Sequence, residues 1–157
     1  LQLFTKPGAR VPLYCTGVGK AFLSRWTEED VRAYLGRTEL RAGTAHTLVD
    51  PDRILEELSR IRLQGFSVDD EEMEEGVRCV AALVYNHKGD TEAAVSISGA
   101  AMRIGPALFK RALDAAAIVQ QGQDLRLTGQ RFQRPAGASL WRAGAGGCHQ
   151  PALPPCW

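Results

Sequence analysis

Apolar positions follow two different periods along this chain. Between residues 27 and 65 they recur at helical spacing, and between 66 and 98 they alternate or run together as in strands. Thr16-Gly17-Val18-Gly19-Lys20 leads into Ala21-Phe22-Leu23, which predicts a short helix from Gly17 to Arg25 behind a tight glycine junction. Thr27 caps a second helix, with Asp30 at the reciprocal position, a Val31, Tyr34 and Leu35 stripe, and Gly36 as its end. The third helix is the most clearly marked. Asp50 is its N-cap, Pro51 fills the first helical position, Ile54, Leu55, Leu58 and Ile61 form one apolar face, and Gly65 is the stop.

The strand signals come next. Phe66-Ser67-Val68 alternates and runs into an acidic segment, Val77 to Tyr85 reads as a buried strand, and Asn86-His87-Lys88-Gly89 is a turn. Thr91 to Ser98 is the partner strand of an antiparallel hairpin, broken at Gly99. A helical pattern returns from Ile104 to Gln121, through Leu108, Ala112, Leu113, Ala116 and Val119. At the start, residues 1–15 read as an extended entry, with a turn at Pro7-Gly8 and a strand from Arg10 to Cys15. Residues 37–49 read as a loop. Residues 122–157 are rich in Gly, Pro, Ala and Arg without a sustained period, which is the composition of a disordered tail. The expected organisation is a folded domain over residues 1–121 and a tail over 122–157. The element order predicts an α+β class, with helices packed on an antiparallel sheet. Two or three strands make a poor sheet face, so further strands are expected from sequence before Leu1. The chain begins without Met and reads as a fragment of a longer protein.

Composition narrows the class. With 45% apolar and 24% charged residues the chain is an ordinary globular protein, able to bury a core without metals or disulfides. A net charge of +1 lacks the clustered Lys and Arg that duplex binding needs. The four cysteines, Cys15, Cys79, Cys148 and Cys156, include no CxxC pair, which fits free thiols in a reducing, cytoplasmic compartment. No apolar run approaches the length that spans a bilayer, so no membrane partner is expected.

Several segments invite a chemical reading. Gly17-Val18-Gly19-Lys20 resembles a phosphate loop but fails it twice: Tyr14 stands at the leading glycine position, and Ala21 stands where Ser or Thr would coordinate magnesium. What survives is a glycine-rich helix start whose N–H groups can hold a carboxylate, or a plain tight turn; on local sequence both stay open. Six of the seven residues from Asp69 to Glu75 are acidic. The run lacks the ligand spacing of a calcium loop and reads as a solvated face or a helix start. Asp69, following the alternating stretch, is the carboxylate expected to point toward the core side. Ser96 and Ser98 share one face of their strand, with Cys79 on the facing strand. Two hydroxyls there either bond backbone and solvent or line a pocket, and the residues alone do not decide. His46, His87 and His149 are scattered, without metal-ligand spacing, and no nucleophile elbow is present. No metal, cofactor or enzymatic activity is expected.

Four stretches in order resemble the effector-binding domain of the IclR family of bacterial transcription regulators over residues 7–121. They are Pro7 to Ala21, Thr44 to Val49, Gln64 to Glu72 continuing through Gly76 to Ala81, and Ala93 to Gly99. The resemblance implies a GAF-like fold: a central antiparallel sheet with helices on both sides, and a winged helix-turn-helix upstream of Leu1 through which alone such a regulator reads DNA. It implies a pocket for a small organic acid or related metabolite at Gly17, Asp69, Cys79, Ser96 and Ser98. Backbone N–H groups near Gly17 would take the ligand carboxylate, and Ser96, Ser98 and Asp69 its polar end. It also implies dimers and tetramers. The tail after Gly122 departs from the family pattern. The alternatives are a GAF-like sensing module attached to another signalling output, and an enzyme acting on a small acid.

Overall fold

A computed structural model describes residues 11–105 and the strand Ala138–Arg142. Three helices precede the sheet: α1 (Gly17–Leu23), α2 (Glu28–Gly36) and α3 (Pro51–Gln64). Four strands follow: β1 (Ser67–Asp70), β2 (Val77–Tyr85), β3 (Thr91–Ala100) and β4 (Ala138–Arg142). All neighbours are antiparallel, in the order β1-β2-β3-β4.

The helix ends follow the capping chemistry read from sequence. Asp50 accepts from the backbone N–H groups of Asp52 and Arg53, Pro51 opens α3, and Gly65 closes it at φ 81°. Thr27 accepts from the Asp30 N–H at 3.1 Å. The reciprocal half differs from the expectation, because the Thr27 hydroxyl donates to the Asp30 carboxylate at 2.7 Å instead of Asp30 reaching back to the Thr27 backbone. Gly36 is the last helical residue of α2, and Arg37 caps it.

The apolar stripes of α2 and α3 meet in one cluster. Leu23, Val31, Leu35, Ile54, Leu58 and Ile61 pack with Leu13 and Tyr14, and Trp26 meets the Tyr34 ring edge-on at 5.9 Å. A second layer joins α1 to the sheet through Ala21, Leu83 and Ala94. Val80 and Ile97 face the other way and pack with Ile104 and Phe66.

Three expectations are corrected. Val11 to Cys15 is not a strand; Arg10 lies outside the described residues. The Pro12 carbonyl accepts from the Thr16 hydroxyl at 2.8 Å, and the Leu13 N–H donates to the Tyr34 hydroxyl at 3.3 Å, so side chains take the place of a ladder. The chain stays close here because residue 19 is glycine: a β-carbon there would lie 2.4 Å from the Leu13 backbone. Gly99 does not break β3, which runs on to Ala100 with Gly99 opposite Arg78. Its missing side chain leaves room for Ile104, whose Cδ1 would stand 3.1 Å from a β-carbon. Ile104 itself is not helical; it follows a 3-10 turn at Ala101–Arg103 with ψ 86°. Gly105 is not helical either, and residues 106–121 of the expected helix lie outside the described residues. So do Cys148, Cys156, His149 and the turn at Pro7-Gly8. Within the segment read as a tail, Ala138–Arg142 pairs with β3, Ser139 opposite Ser96.

Candidate functional site

Strand register decides which side chains meet. β1, β2 and β3 are aligned so that Asp69, Cys79 and Ser98 form one row across the sheet. Ser67, Ala81 and Ser96 form the next row on the same face. The start of α1 lies over these rows: a β-carbon at Gly17 would come within 3.3 Å of Cys79 Sγ and 3.6 Å of Ala81 Cβ. All five residues singled out from sequence, Gly17, Asp69, Cys79, Ser96 and Ser98, therefore converge. Ser67 was missed. It is fully buried, and its hydroxyl donates to the Gly17 carbonyl at 2.5 Å, which ties α1 to β1. Its signal was available, since Ser67 stands two residues before Asp69 on an alternating stretch.

Only parts of the acidic run form a solvated face. Asp70 is exposed and pairs with Arg78, whereas Asp69 and Glu72 are each 5% exposed. Asp69 Oδ1 accepts from the backbone N–H of Glu72 at 2.9 Å and of Met73 at 3.3 Å. Burial is the main force on its carboxyl and raises it to about 6, against the pull of those two N–H groups. Burial likewise pushes the Cys79 thiol up to about 11, opposed by hydrogen bonding from Ser98 and Ser96. Cys15, buried and in contact with Met73, rises to about 12 for the same reason, with the Asp69 and Glu72 charges adding to it. Both thiols are thus protonated at neutral pH.

In the sequence Lys20 closes the Gly17-Val18-Gly19-Lys20 stretch that fails as a phosphate loop, at the start of the first helix. Its ammonium instead turns inward, 1% exposed, to meet Glu72 and, at 3.7 Å, Glu57. The loop between α2 and α3 closes over this turn. Thr47 and Thr44 hydroxyls donate to the Glu72 and Glu71 carbonyls at 2.6 and 2.7 Å.

His46 and His87 are exposed and distant from one another in the chain. Among the described residues, no group of three His, Cys, Asp or Glu side chains is placed to hold a metal ion. No helix among them is long and apolar enough to cross a membrane. A groove of about 570 Å³ runs between α2 and α3 beside Arg32, Leu55 and Leu63, and a hollow of about 40 Å³ lies beside Ala21, Ile61 and Leu83. None of the five converging residues lines either one.

Residues 1–125 match the family described as bacterial transcriptional regulator IclR, C-terminal. The chain belongs to the IclR family. Its relatives include the acetate operon repressor of Salmonella typhimurium, 44% identical over 97 residues, which make up 62% of this chain and 35% of the repressor. The chain thus spans about a third of that relative's length. Among solved structures, the transcriptional regulator YaiJ superposes with a TM-score of 0.72 at 30% identity, covering 78% of this chain and 71% of that one. A double mutant of the inducer-binding domain of the PobR transcription factor from Acinetobacter, in complex with 3-hydroxybenzoic acid, superposes with a TM-score of 0.65 at 26% identity, over 70% of this chain and 66% of that one. The likeness bears out both the IclR resemblance and the α+β class with helices on an antiparallel sheet.

Proposed function

We propose that this chain is the effector-sensing part of a bacterial transcription regulator, and that its ligand is a small organic acid bound against the Asp69–Cys79–Ser98 row. The observation that carries this reading is the convergence of polar groups on a buried sheet face. Ser96 and Ser98 hydroxyls and the Asp69 carboxyl share that face with the start of α1, where Thr16 takes the Gly19 and Lys20 N–H groups and the Gly17 and Val18 N–H groups precede the helical ladder. A ligand carboxylate sits toward α1, and a hydroxyl or oxo group sits toward Ser96, Ser98 and Asp69. The second end is not a bare carboxylate, because Asp69 would repel it. The PobR domain holding a hydroxybenzoic acid on a related fold supports this ligand class.

The domain works without a cofactor and is not an enzyme. Its two described thiols, Cys79 within the row and Cys15, are held protonated. It acts in the cytoplasm as a dimer or tetramer. Occupancy shifts the assembly or orientation of attached winged helix-turn-helix domains, which requires the ligand to bind two states with different affinity. DNA is contacted only through those domains.

Thermal-shift screening of short 2-oxo, 2-hydroxy, sugar and aromatic acids tests the reading. A true ligand at about 100 times its Kd adds about 2.7 kcal/mol of stability. Ser96→Ala is expected to diminish that shift. No stabilisation by any acid, or a hit indifferent to Ser96→Ala, removes the assignment.

A further inference from the structure

Lys20 stands one helical turn after Gly17, on the face that α1 turns toward the sheet. A buried ammonium is costly, and a well-packed apolar pair in the place of a buried ion pair is commonly no less stable. The arrangement around Lys20 joins three elements. From α1 it reaches Glu72 in the turn after β1, and Glu57 on α3, which also pairs with Arg60 at 2.8 Å. Glu72 is in turn the residue whose N–H donates to Asp69 Oδ1. Its carboxylate is bound by Lys20 through Oε1 and is also met by the Leu48 backbone N–H.

We propose that Lys20 is a positioning residue of the effector site: from α1 it holds Glu72, and through the Glu72 backbone the Asp69 carboxylate, at a fixed separation from Gly17. The inference rests on the effector reading above. Lys20 does not itself touch the ligand. It couples the end of the site built by the α1 N-terminus to the end built by β1, so the spacing between a ligand's carboxylate and its second polar group is set by one buried contact.

Two measurements test it, one without ligand. Hydrogen exchange is followed by NMR in Lys20→Met. Lys20→Met/Glu72→Gln, which leaves no unpaired buried charge, serves if the single variant fails to fold. The Glu72 and Met73 amides are expected to lose protection while the Val80 and Ile97 amides keep theirs. Unchanged protection at residue 72, or a uniform loss through the sheet, overturns the proposal. The second measurement is a double-mutant cycle on the affinity for an acid found in the screen. Lys20→Met is expected to weaken binding about tenfold in the wild-type background and to change it little beside Asp69→Asn, a coupling within the range for residues of one network. Equal losses in both backgrounds overturn it. If the wild type binds no acid while the exchange result holds, the effector reading fails and the tie between α1 and the Asp69 turn stands.

Discussion

Replacing Asp69 by Asn probes the main electrostatic tension in the site. In the folded chain the carboxyl is raised by burial to about 6, whereas the ordinary value is 3.8. Between those two values the folded state binds more protons than the unfolded state, so stability falls as pH rises through that window. The destabilisation is absent well below pH 3.8 and fully developed above about pH 6. Each pH unit of difference between folded and unfolded pKa is worth about 1.4 kcal/mol, which makes the full effect about 3 kcal/mol. Asn is nearly isosteric, carries no charge, and keeps an oxygen for the Glu72 and Met73 N–H groups. Asp69→Asn is therefore expected to be more stable than the wild type by up to about 3 kcal/mol near neutral pH, with the advantage fading toward about pH 4. Urea unfolding followed by tryptophan fluorescence across that range measures the difference directly. A variant whose advantage does not grow with pH, or that is less stable near neutrality, refutes the reasoning. Ligand binding should weaken in the same variant, so that stability and function move in opposite directions.

Two further substitutions test the scaffold. Gly19→Ala places a β-carbon 2.4 Å from the Leu13 backbone, where no flexible side chain can yield, and should cost about 3 kcal/mol or more by chemical denaturation. Leu58→Ala empties a fully buried position at the centre of the helical core and should lower stability by about 2–5 kcal/mol in the same assay, with the sheet residues of the site unchanged in sequence.

The sequence by itself determined the parts governed by local physics. Asp50-Pro51 and Gly65 bracket α3 because a cap side chain, a missing N–H and a left-handed φ act within a few residues. Val77 to Tyr85 was readable as a strand because its apolar run is bounded by turn residues. Ser96, Ser98 and Asp69 stood out because an alternating stretch assigns each residue to a face. Tertiary structure decided the rest. Whether two faces coincide depends on register between strands, and only the pairing of Asp69 with Cys79 and of Cys79 with Ser98 turns separate polar residues into one row. Residues 11–15 follow a strand-like pattern but are held by the Tyr34 and Thr16 side chains, partners that no local period reveals. Gly99 reads as a breaker until Ile104 packs against it. Local sequence places Lys20 on a short helix behind a glycine junction and Glu72 in an acidic run that reads as a solvated face or a helix start, and a charged side chain is expected at the surface. Their burial depends on each finding the other across 52 residues of chain, and that meeting exists only in the folded protein.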